Sequence, residues 1–227
     1  ELASKIEYKN TELDLFECIE KIKVKENIQL TAFISSQYIK DCGTPERFLR
    51  VSEDLKSNII QSNFQKKQKV LFLDRDGTLI KNKKNNYITS PKEIELNKNI
   101  IQVYKKYTAM NYLPVVVTNQ PQIAQGKLSL ENLDKINCKI QDVLEMNNLQ
   151  KIFIFLICPH HPHHGFPEEI EELKFICNCR KPNIGLFHLL ERNINVDKSK
   201  SLMIGDTISD KEFAKNCGIK FLFEQDI

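Results

Sequence analysis

Two aspartates stand two residues apart, directly after a strongly apolar run. Asp74 and Asp76 follow Val70–Leu73, and Gly77 then permits a tight turn. Two carboxylates held this close suit different roles, because one can act as a nucleophile and metal ligand while the other carries a proton. The pair therefore predicts a catalytic site at the end of this run.

A third aspartate and several polar side chains extend this site. Asp206 follows another apolar run and, with Asp74, supplies hard oxygen ligands suited to Mg²⁺, which needs only one or two protein carboxylates. Thr118 and Asn119 offer a hydroxyl and an amide to phosphoryl oxygens. Lys181 can neutralise the charge that spreads over a transferring phosphoryl group. The set predicts phosphoryl transfer.

Four other residues have the spacing of metal ligands. Cys158 and His160 form a Cys-x-His pair, and Cys177 and Cys179 form a Cys-x-Cys pair further along the chain. Three thiolates and one imidazole make a closed tetrahedral set, which is typical of structural Zn²⁺. Spacing favours His160 as the imidazole ligand. Three neighbouring histidines remain alternatives: His161, His163 and His164.

The elements that must position these residues alternate between two patterns. Short apolar runs predict strands at 70–73, 113–117, 152–157, 201–204 and 219–223. Helical periodicity predicts helices at 94–110, 130–146, 184–194 and 208–217. This alternation predicts an α/β, three-layer, Rossmann-like fold with a parallel sheet. Ligands of such sheets bind beyond the carboxyl ends of the strands, where most of the residues named above stand.

Composition excludes several classes of protein. The chain has 227 residues, and 33 Lys+Arg against 30 Asp+Glu leave a net charge of +3, too small to indicate a nucleic-acid or membrane partner. No apolar run approaches the ~20 residues that span a bilayer, and no signal peptide opens the sequence. Seven cysteines, an odd number, fit a reducing compartment better than a disulfide framework. A cytoplasmic location is expected.

The ordered motifs resemble those of the haloacid dehalogenase superfamily of phosphatases, and the resemblance covers residues 67–227. It is carried by Leu73-Asp-Arg-Asp-Gly-Thr78, Thr118-Asn119, Lys181 and Gly205-Asp206 with Asp210. The resemblance implies a Mg²⁺-dependent phosphomonoesterase in which Asp74 attacks phosphorus and Asp76 protonates the leaving oxygen, then activates water. It also implies that Thr118 and Lys181 stabilise the phosphoryl group.

The same resemblance implies how the metal is held. Asp206 would complete the Mg²⁺ site with Asp74 and the backbone carbonyl of Asp76. Asp210 would hold Lys181 or a metal-bound water. Superfamily members that carry a cysteine- and histidine-containing loop have a small residue and Gly where this chain has Pro121 and Gln122. They have Arg where this chain has Gln125. These departures bear on specificity rather than on the chemistry.

The motif Cys-Pro-His-His-Pro from 158, with Cys-x-Cys-Arg-Lys-Pro from 177, is similar to that of the D-glycero-D-manno-heptose-1,7-bisphosphate phosphatases. Histidinol-phosphate phosphatases share a related, usually shorter loop, and the long insert 165–173 favours the heptose group. The resemblance implies a phosphosugar substrate cleaved at its 7-phosphate. A histidinol-phosphate phosphatase is the alternative enzyme, and a scaffolding module of a bifunctional nucleotidyltransferase is the alternative outside enzymes.

No segment between the motifs is long enough for a cap domain, so the fold is expected to be capless. The loop that joins the Cys158/His160 pair to the Cys177/Cys179 pair is called the zinc-type loop. This loop and residues 81–87 are then expected to form the wall against which the substrate lies. The zinc-type loop also places Arg180 beside Lys181, where its planar guanidinium suits sugar hydroxyls or a second phosphate. The predicted substrate contacts are Arg75, Tyr87, Asn119, Gln120 and Arg180.

The first 66 residues are assigned to a separate piece. Residues 38–48 resemble the Asp-x-Gly-Thr-Pro-Glu-Arg element near the C-terminal end of sugar-phosphate nucleotidyltransferases. From the residues alone, Thr44 is an N-cap, Pro45 is at N1 and 47–60 is an amphipathic helix. The polar stretch 61–69 predicts a linker, so the domains are 1–66 and 67–227. The sequence is interpreted as part of a longer chain with a nucleotidyltransferase domain upstream.

Overall fold

The computed structural model describes residues 40–56, 67–82, 87–192 and 194–227. The chain divides into two units, Glu1–Ser35 and Ser36–Ile227, and all described residues belong to the second. Most of the predicted linker lies outside the described residues. So do the end of the predicted helix at 47–60 and the middle of the predicted substrate wall at 81–87.

Five parallel strands form one sheet. They are β1 (Val70–Leu73), β2 (Leu113–Asn119), β3 (Ile154–Cys158), β4 (Leu202–Gly205) and β5 (Lys220–Phe223), in the order β3-β2-β1-β4-β5. The chain builds outward from β1 through β2 to β3 and then crosses to the other side of β1. The sheet order therefore reverses between β1 and β4, and a crevice opens at such a point. The predicted α/β, Rossmann-like class is confirmed.

Six α-helices lie within the described residues. They are α1 (Pro45–Lys56), α2 (Lys98–Ala109), α3 (Pro121–Ala124), α4 (Leu130–Met146), α5 (Gly185–Glu191) and α6 (Ile208–Cys217). Alternate residues of β1 point to opposite faces. Leu71 and Leu73 belong to a core cluster with α2 and α4, whereas Val70 and Phe72 belong to a second cluster with α5 and α6. This burial on both faces explains why β1 is a continuous apolar run.

Local sequence explains where the helices begin. Thr44 accepts a hydrogen bond from the Arg47 amide at 3.3 Å, so the predicted N-cap of α1 is confirmed. The helix predicted from residue 94 begins instead at Lys98. Its start is late because the Asn97 side chain accepts a hydrogen bond from the Asn99 amide, while Leu96 forms an antiparallel bridge with the residue-80 backbone. Hydrophobic spacing alone does not separate that extended approach from the helix.

Within the described ranges, no helix combines the length and the apolar character that crossing a membrane requires.

Candidate active site

The carboxyl ends of β1, β2 and β4 open onto one cavity of about 590 Å³. Asp74 follows β1 and its backbone amide donates to the Ile204 carbonyl of β4 at 3.0 Å, so the two strand ends stay paired as far as the site. The cavity is lined by Asp74, Asp76, Asn82, Tyr87, Ile88, Thr118, Asn119, Pro121, Lys127, Arg180, Lys181, Thr207, Ser209 and Asp210.

Lys181 is a buried cation beside Asp74. Its ammonium donates to Asp74 Oδ1, Asp210 Oδ1 and the Val117 carbonyl, each at 2.6 Å, which uses all three protons. Burial opposes the charged form, but the two carboxylates outweigh burial and hold the pKa of Lys181 above its usual value. The side chain is therefore a fixed positive charge beside Asp74.

Asp210 joins this cation to the start of α6. Its Oδ2 accepts from the Thr207 hydroxyl at 2.6 Å and from the Thr207 amide at 3.0 Å, while Thr207 Oγ1 accepts from the Asp210 amide. This reciprocal capping box leaves Oδ1 for Lys181. One carboxylate thus ties the helix terminus to the lysine.

Three carboxylates lie close enough to share a cation. Oxygens of Asp74, Asp206 and Asp210 all lie within 4.8 Å of one another. Burial raises the pKa of Asp74 to about 7, although Lys181 lowers it. Desolvation and the Asp210 carboxylate also raise the pKa of Asp206. The three carboxylates together carry more negative charge than Lys181 can balance, so the donor set fits a divalent cation with a preference for oxygen.

Gly77 allows the approach of Asp206 to this cluster. Its φ is +92°, and a Cβ added there would collide with the Asp206 carboxylate. Thr78 donates to Asp206 Oδ1 at 3.4 Å from the same turn. The Gly-Thr pair after the two aspartates therefore serves the close packing of the β1 and β4 ends.

Asp76 is held by a buried arginine and an amide. Arg75 donates through Nε at 3.1 and 3.2 Å and through Nη2 at 2.9 Å to the Asp76 carboxylate, and Gln120 Nε2 donates to its Oδ2 at 2.7 Å. Arg75 and Gln120 are both 0% exposed and do not line the cavity. Both were predicted from the sequence as substrate contacts, whereas in the structure both donate hydrogen bonds to the buried side of the Asp76 carboxylate.

Asn119 lines the cavity but uses its amide on the backbone of Lys181. Its Oδ1 accepts from the Lys181 amide at 2.9 Å, and its Nδ2 donates to the Lys181 carbonyl at 3.1 Å. The sequence predicted that this amide would meet phosphoryl oxygens. In the structure the paired bonds instead attach the Lys181 segment to the end of β2.

Thr118 remains available to a ligand. It accepts a hydrogen bond from Gln120 Nε2 at 2.9 Å, and no described residue accepts its own proton, which can therefore be donated into the cavity that it lines.

One wall of the cavity carries a lysine that sequence reasoning missed. Lys127 lies over the rings of Tyr87 and Phe166, with its Nζ 5.5 and 4.8 Å from their centroids. Tyr87, a predicted substrate contact, lines the same cavity as Lys127. Gln125 is buried and does not line it. The signal that could have indicated Lys127 is its place two residues beyond Gln125, where the resembling enzymes carry a cation.

The cysteine and histidine pairs meet in one cluster. Donor atoms of Cys158, His160, Cys177 and Cys179 lie within 4.8 Å of one another, with five of the separations between 3.1 and 3.7 Å. In a tetrahedral site with Zn–S bonds of about 2.3 Å, neighbouring ligand atoms stand about 3.7 Å apart. The cluster therefore fits Zn²⁺.

His161 and His164 contact other groups and do not belong to the cysteine cluster. The Nδ1 of His161 faces the His163 carbonyl at 3.3 Å, and the Nδ1 of His164 faces Glu169 at 3.2 Å. His160 is the histidine in the cluster, and its carbonyl accepts from Arg180 Nη1 at 3.3 Å. Arg180 thus lies between the cluster and the cavity that it lines.

Comparison with known proteins decides the family. Residues 69–227 match the family model described as polynucleotide kinase 3 phosphatase. The chain belongs to this family of phosphatases, within the haloacid dehalogenase superfamily. The superfamily predicted from the sequence is confirmed, and the protein is a phosphatase.

Named relatives and solved structures agree with this assignment. The D-glycero-beta-D-manno-heptose-1,7-bisphosphate 7-phosphatase of Vibrio cholerae is 32% identical over 149 residues, covering 66% of this phosphatase and 76% of the relative. A HAD-like phosphatase from Mesorhizobium loti has a TM-score of 0.60 at 27% identity, covering 67% of this chain and 70% of that one. The D,D-heptose 1,7-bisphosphate phosphatase of B. bronchiseptica, complexed with magnesium and phosphate, has a TM-score of 0.57 at 26% identity, covering 68% and 79%.

Proposed function

We propose that this phosphatase removes the 7-phosphate from D-glycero-D-manno-heptose 1,7-bisphosphate. The observation that carries the chemistry is the contact of Lys181 Nζ with Asp74 and Asp210 at the floor of one cavity, beside Asp206. The proposed nucleophile Asp74 therefore lies beside a fixed cation, Lys181, and beside carboxylate oxygens that suit a metal ion. The names of the relatives supply the substrate class.

Asp74 attacks first. Its carboxylate oxygen forms a bond to phosphorus as the bond between phosphorus and the sugar oxygen breaks, and Asp76 gives a proton to that leaving oxygen. The aspartyl-phosphate on Asp74 is then hydrolysed: Asp76 takes a proton from water, the water oxygen bonds to phosphorus, and the Asp74 carboxylate leaves. The sum is one water consumed for one alcohol and one phosphate, with both aspartates restored.

Fixed donors stabilise the phosphoryl group during both steps. Lys181 supplies its charge, and Thr118 supplies the hydroxyl proton that Gln120 leaves free. Asn119 acts on the lysine backbone, so we assign it to positioning rather than to phosphate contact.

Mg²⁺ belongs with Asp74, Asp206 and the backbone carbonyl of Asp76, with Asp210 adjacent. When bound, it neutralises charge on the phosphoryl oxygens. The excess of carboxylates over ammonium groups supports this placement, because a divalent cation restores the balance of charge. The magnesium in the B. bronchiseptica structure supports the choice of ion.

The cysteine cluster is proposed as a structural Zn²⁺ site. All four positions are filled by protein donors, which leaves no position for substrate. Its role is to fix the segment that runs from Cys179 through Arg180 to Lys181. A fixed segment presents the two cations with little loss of conformational entropy on binding.

Arg180 and Lys127 are proposed to recognise the part of the substrate that does not react. A bisphosphate has only one phosphoryl group over Asp74, so the sugar and the second phosphate must meet the cavity walls. Arg180 lies on the wall formed by the zinc-type loop, and Lys127 lies beside Tyr87. Both offer positive charge to an anionic ligand.

For the N-terminal part, we propose that residues 1–66 are distinct in sequence origin from the phosphatase domain at 67–227, although the compact unit of the structure begins at Ser36. The family match that begins at residue 69 supports this boundary. A likeness to sugar nucleotidyltransferases in 38–48, and such a domain upstream, remain predictions from the sequence.

A phosphate-release screen tests the substrate. It compares heptose 1,7-bisphosphate, histidinol phosphate and an oligonucleotide with a 3′-phosphate, the last because of the description of the matching family. We expect the highest kcat/KM for the bisphosphate, with phosphate lost from carbon 7. Faster release from histidinol phosphate or from the oligonucleotide would overturn the substrate assignment, and no release from any ester would support the scaffolding alternative.

A further inference from the structure

A chain of buried polar side chains contacts Asp76 and does not line the cavity. It consists of Arg75, Gln120 and Gln122, whose side chains are joined to one another and to the Asp76 carboxylate. All three residues are at most 1% exposed. Polar groups buried this deeply are costly unless they are hydrogen-bonded.

Hydrogen bonds fix the amide of Gln120 in one orientation. Its Oε1 accepts from Arg75 Nη2 at 2.6 Å and from Gln122 Nε2. With two donors on its oxygen, the amide must turn its Nε2 toward acceptors, and this nitrogen donates to Asp76 Oδ2 at 2.7 Å and to Thr118 Oγ1 at 2.9 Å. A rotated amide would bring its NH₂ group against the Arg75 and Gln122 donors. Gln122 and Arg75 therefore fix together which way Gln120 faces.

This arrangement makes the two oxygens of Asp76 unequal. Oδ2 accepts from Arg75 Nε at 3.1 Å, from Arg75 Nη2 at 2.9 Å and from Gln120 at 2.7 Å. Oδ1 accepts only the longer bond from Arg75 Nε at 3.2 Å among the described residues. Oδ2 is saturated, so Oδ1 is the oxygen left to exchange a proton in the cavity.

The network is not optimised for stability. Arg75 Nη1 and Gln122 Oε1 are buried, and neither has a hydrogen-bond partner in the described part of the chain. An unmet buried polar atom lowers the stability of the folded state, because it gives up its hydrogen bonds to water and gains none. Apolar residues at these positions would avoid that cost, which argues that the network is retained for what it does to Asp76.

We propose that Gln122 is a positioning residue that acts through Gln120 and Arg75 to aim Asp76 Oδ1 at the leaving oxygen of the substrate. The proposal rests on the proposed role of Asp76 as the proton donor and acceptor. It also gives a function to one departure from the resembling enzymes, which carry Gly where this chain has Gln122.

The test uses two substrates that differ in their need for a proton. The sugar alcohol leaving from heptose 1,7-bisphosphate needs protonation, whereas 4-nitrophenolate leaves without it. The ratio kcat/KM reports the steps up to departure of the leaving group, before the water attacks. In Gln122→Met, we expect kcat/KM for the bisphosphate to fall about tenfold, a part of the 10²–10⁴ supplied by general acid catalysis. The value for 4-nitrophenyl phosphate should fall less than about threefold.

Two further variants separate positioning from folding. Gln122→Gly also removes the donor and should give the same selective loss, while Gln102→Met, an exposed site on α2, should change neither substrate. Equal losses on both substrates in both Gln122 variants, or no loss, would overturn the proposal.

Asp76→Asn distinguishes failure of this proposal from failure of the proposed function. A strong selective loss in Asp76→Asn without one in the Gln122 variants would reject only the positioning role. An unselective loss in Asp76→Asn would reject Asp76 as the proton donor, and the positioning role with it.

Discussion

The carboxylate cluster and the cysteine cluster lie at the two ends of one short segment, and they differ in almost every property. Around Asp74 the donors are hard oxygens at the floor of an open cavity. Around Cys158 the donors are three sulfurs and one nitrogen that surround a single point. An oxygen site open to ligands suits exchange of water and substrate, whereas a closed sulfur site suits permanent structure.

The segment from Cys179 to Lys181 shows how the second site serves the first. Lys181 belongs to the carboxylate cluster, while Cys179, two residues earlier, belongs to the cysteine cluster. The comparison therefore predicts that damage to the open site abolishes turnover with little loss of stability. Damage to the closed site should lower stability strongly and turnover much less.

Asp74→Asn should have the largest effect on turnover. An amide cannot attack phosphorus, so kcat should fall by roughly 10⁴–10⁶, as for nucleophiles in cooperating sites. Steady-state phosphate release measures the loss. The matched control is Asp134→Asn, an exposed carboxylate on α4, which should retain full activity. Activity within tenfold of the parent, in folded Asp74→Asn, would reject the nucleophile.

Lys181→Met should be the next most severe change. It removes the cation that, among the described residues, contacts both Asp74 and Asp210, so kcat should fall by about 10²–10³. Binding of Mg²⁺, followed by titration calorimetry, should persist or strengthen because a competing positive charge has been removed. Loss of Mg²⁺ binding together with unchanged turnover would contradict this assignment.

Cys179→Ser tests the closed site. Bound zinc, measured by elemental analysis, should fall from about one per chain to near zero, and Tm should fall by about 10 °C because metal binding contributes to folding. The kcat should fall far less than in Asp74→Asn. Cys138→Ser, at an exposed free cysteine, is the matched control. Zinc retained by Cys179→Ser at the parent level would remove Cys179 from the cluster.

Arg180→Ala and Lys127→Met should have the smallest effects, and those effects should concern KM. Loss of a charge-assisted hydrogen bond should raise KM for the bisphosphate about tenfold in Arg180→Ala, and the exposed Lys127 should contribute about threefold. KM for 4-nitrophenyl phosphate should change little. Lys106→Met, which removes a lysine lying over the Tyr107 ring on α2, is the control for loss of a ring contact. Equal changes on both substrates would place either cation in the general phosphoryl site.

Much of the fold could be predicted because its local signals agree. The bounds of β1, α4 and α6 match the predicted 70–73, 130–146 and 208–217. Ser129 and Thr207 cap the two helices at the positions where their apolar periodicity begins. The start of α2 was missed because an extended pairing with residue 80, distant in sequence, overrides the local pattern.

The sequence predicted which residues form the site better than it predicted which partners their side chains bind. Strand ends predicted that Asp74, Thr118 and Asp206 would converge, because parallel strands bring their carboxyl ends to one edge. Lys181 was predicted from the charge of a phosphoryl group and from the resemblance. Spacing does not encode which acceptor a side chain meets. Arg75 was expected to contact the substrate, but it binds Asp76. Asn119 was expected to contact phosphoryl oxygens, but it binds the backbone of Lys181.

The central claim is that Asp74, in the open oxygen site, becomes covalently phosphorylated during turnover. The most direct measurement is to quench the enzyme with acid during turnover and treat it with borodeuteride, which reduces an acyl phosphate to an alcohol. Peptide mass spectrometry then locates the deuterium. We expect that Asp74 alone is converted to labelled homoserine, and that the label depends on substrate. Label on Asp76 or Asp206 instead, or no label while turnover proceeds, would contradict it.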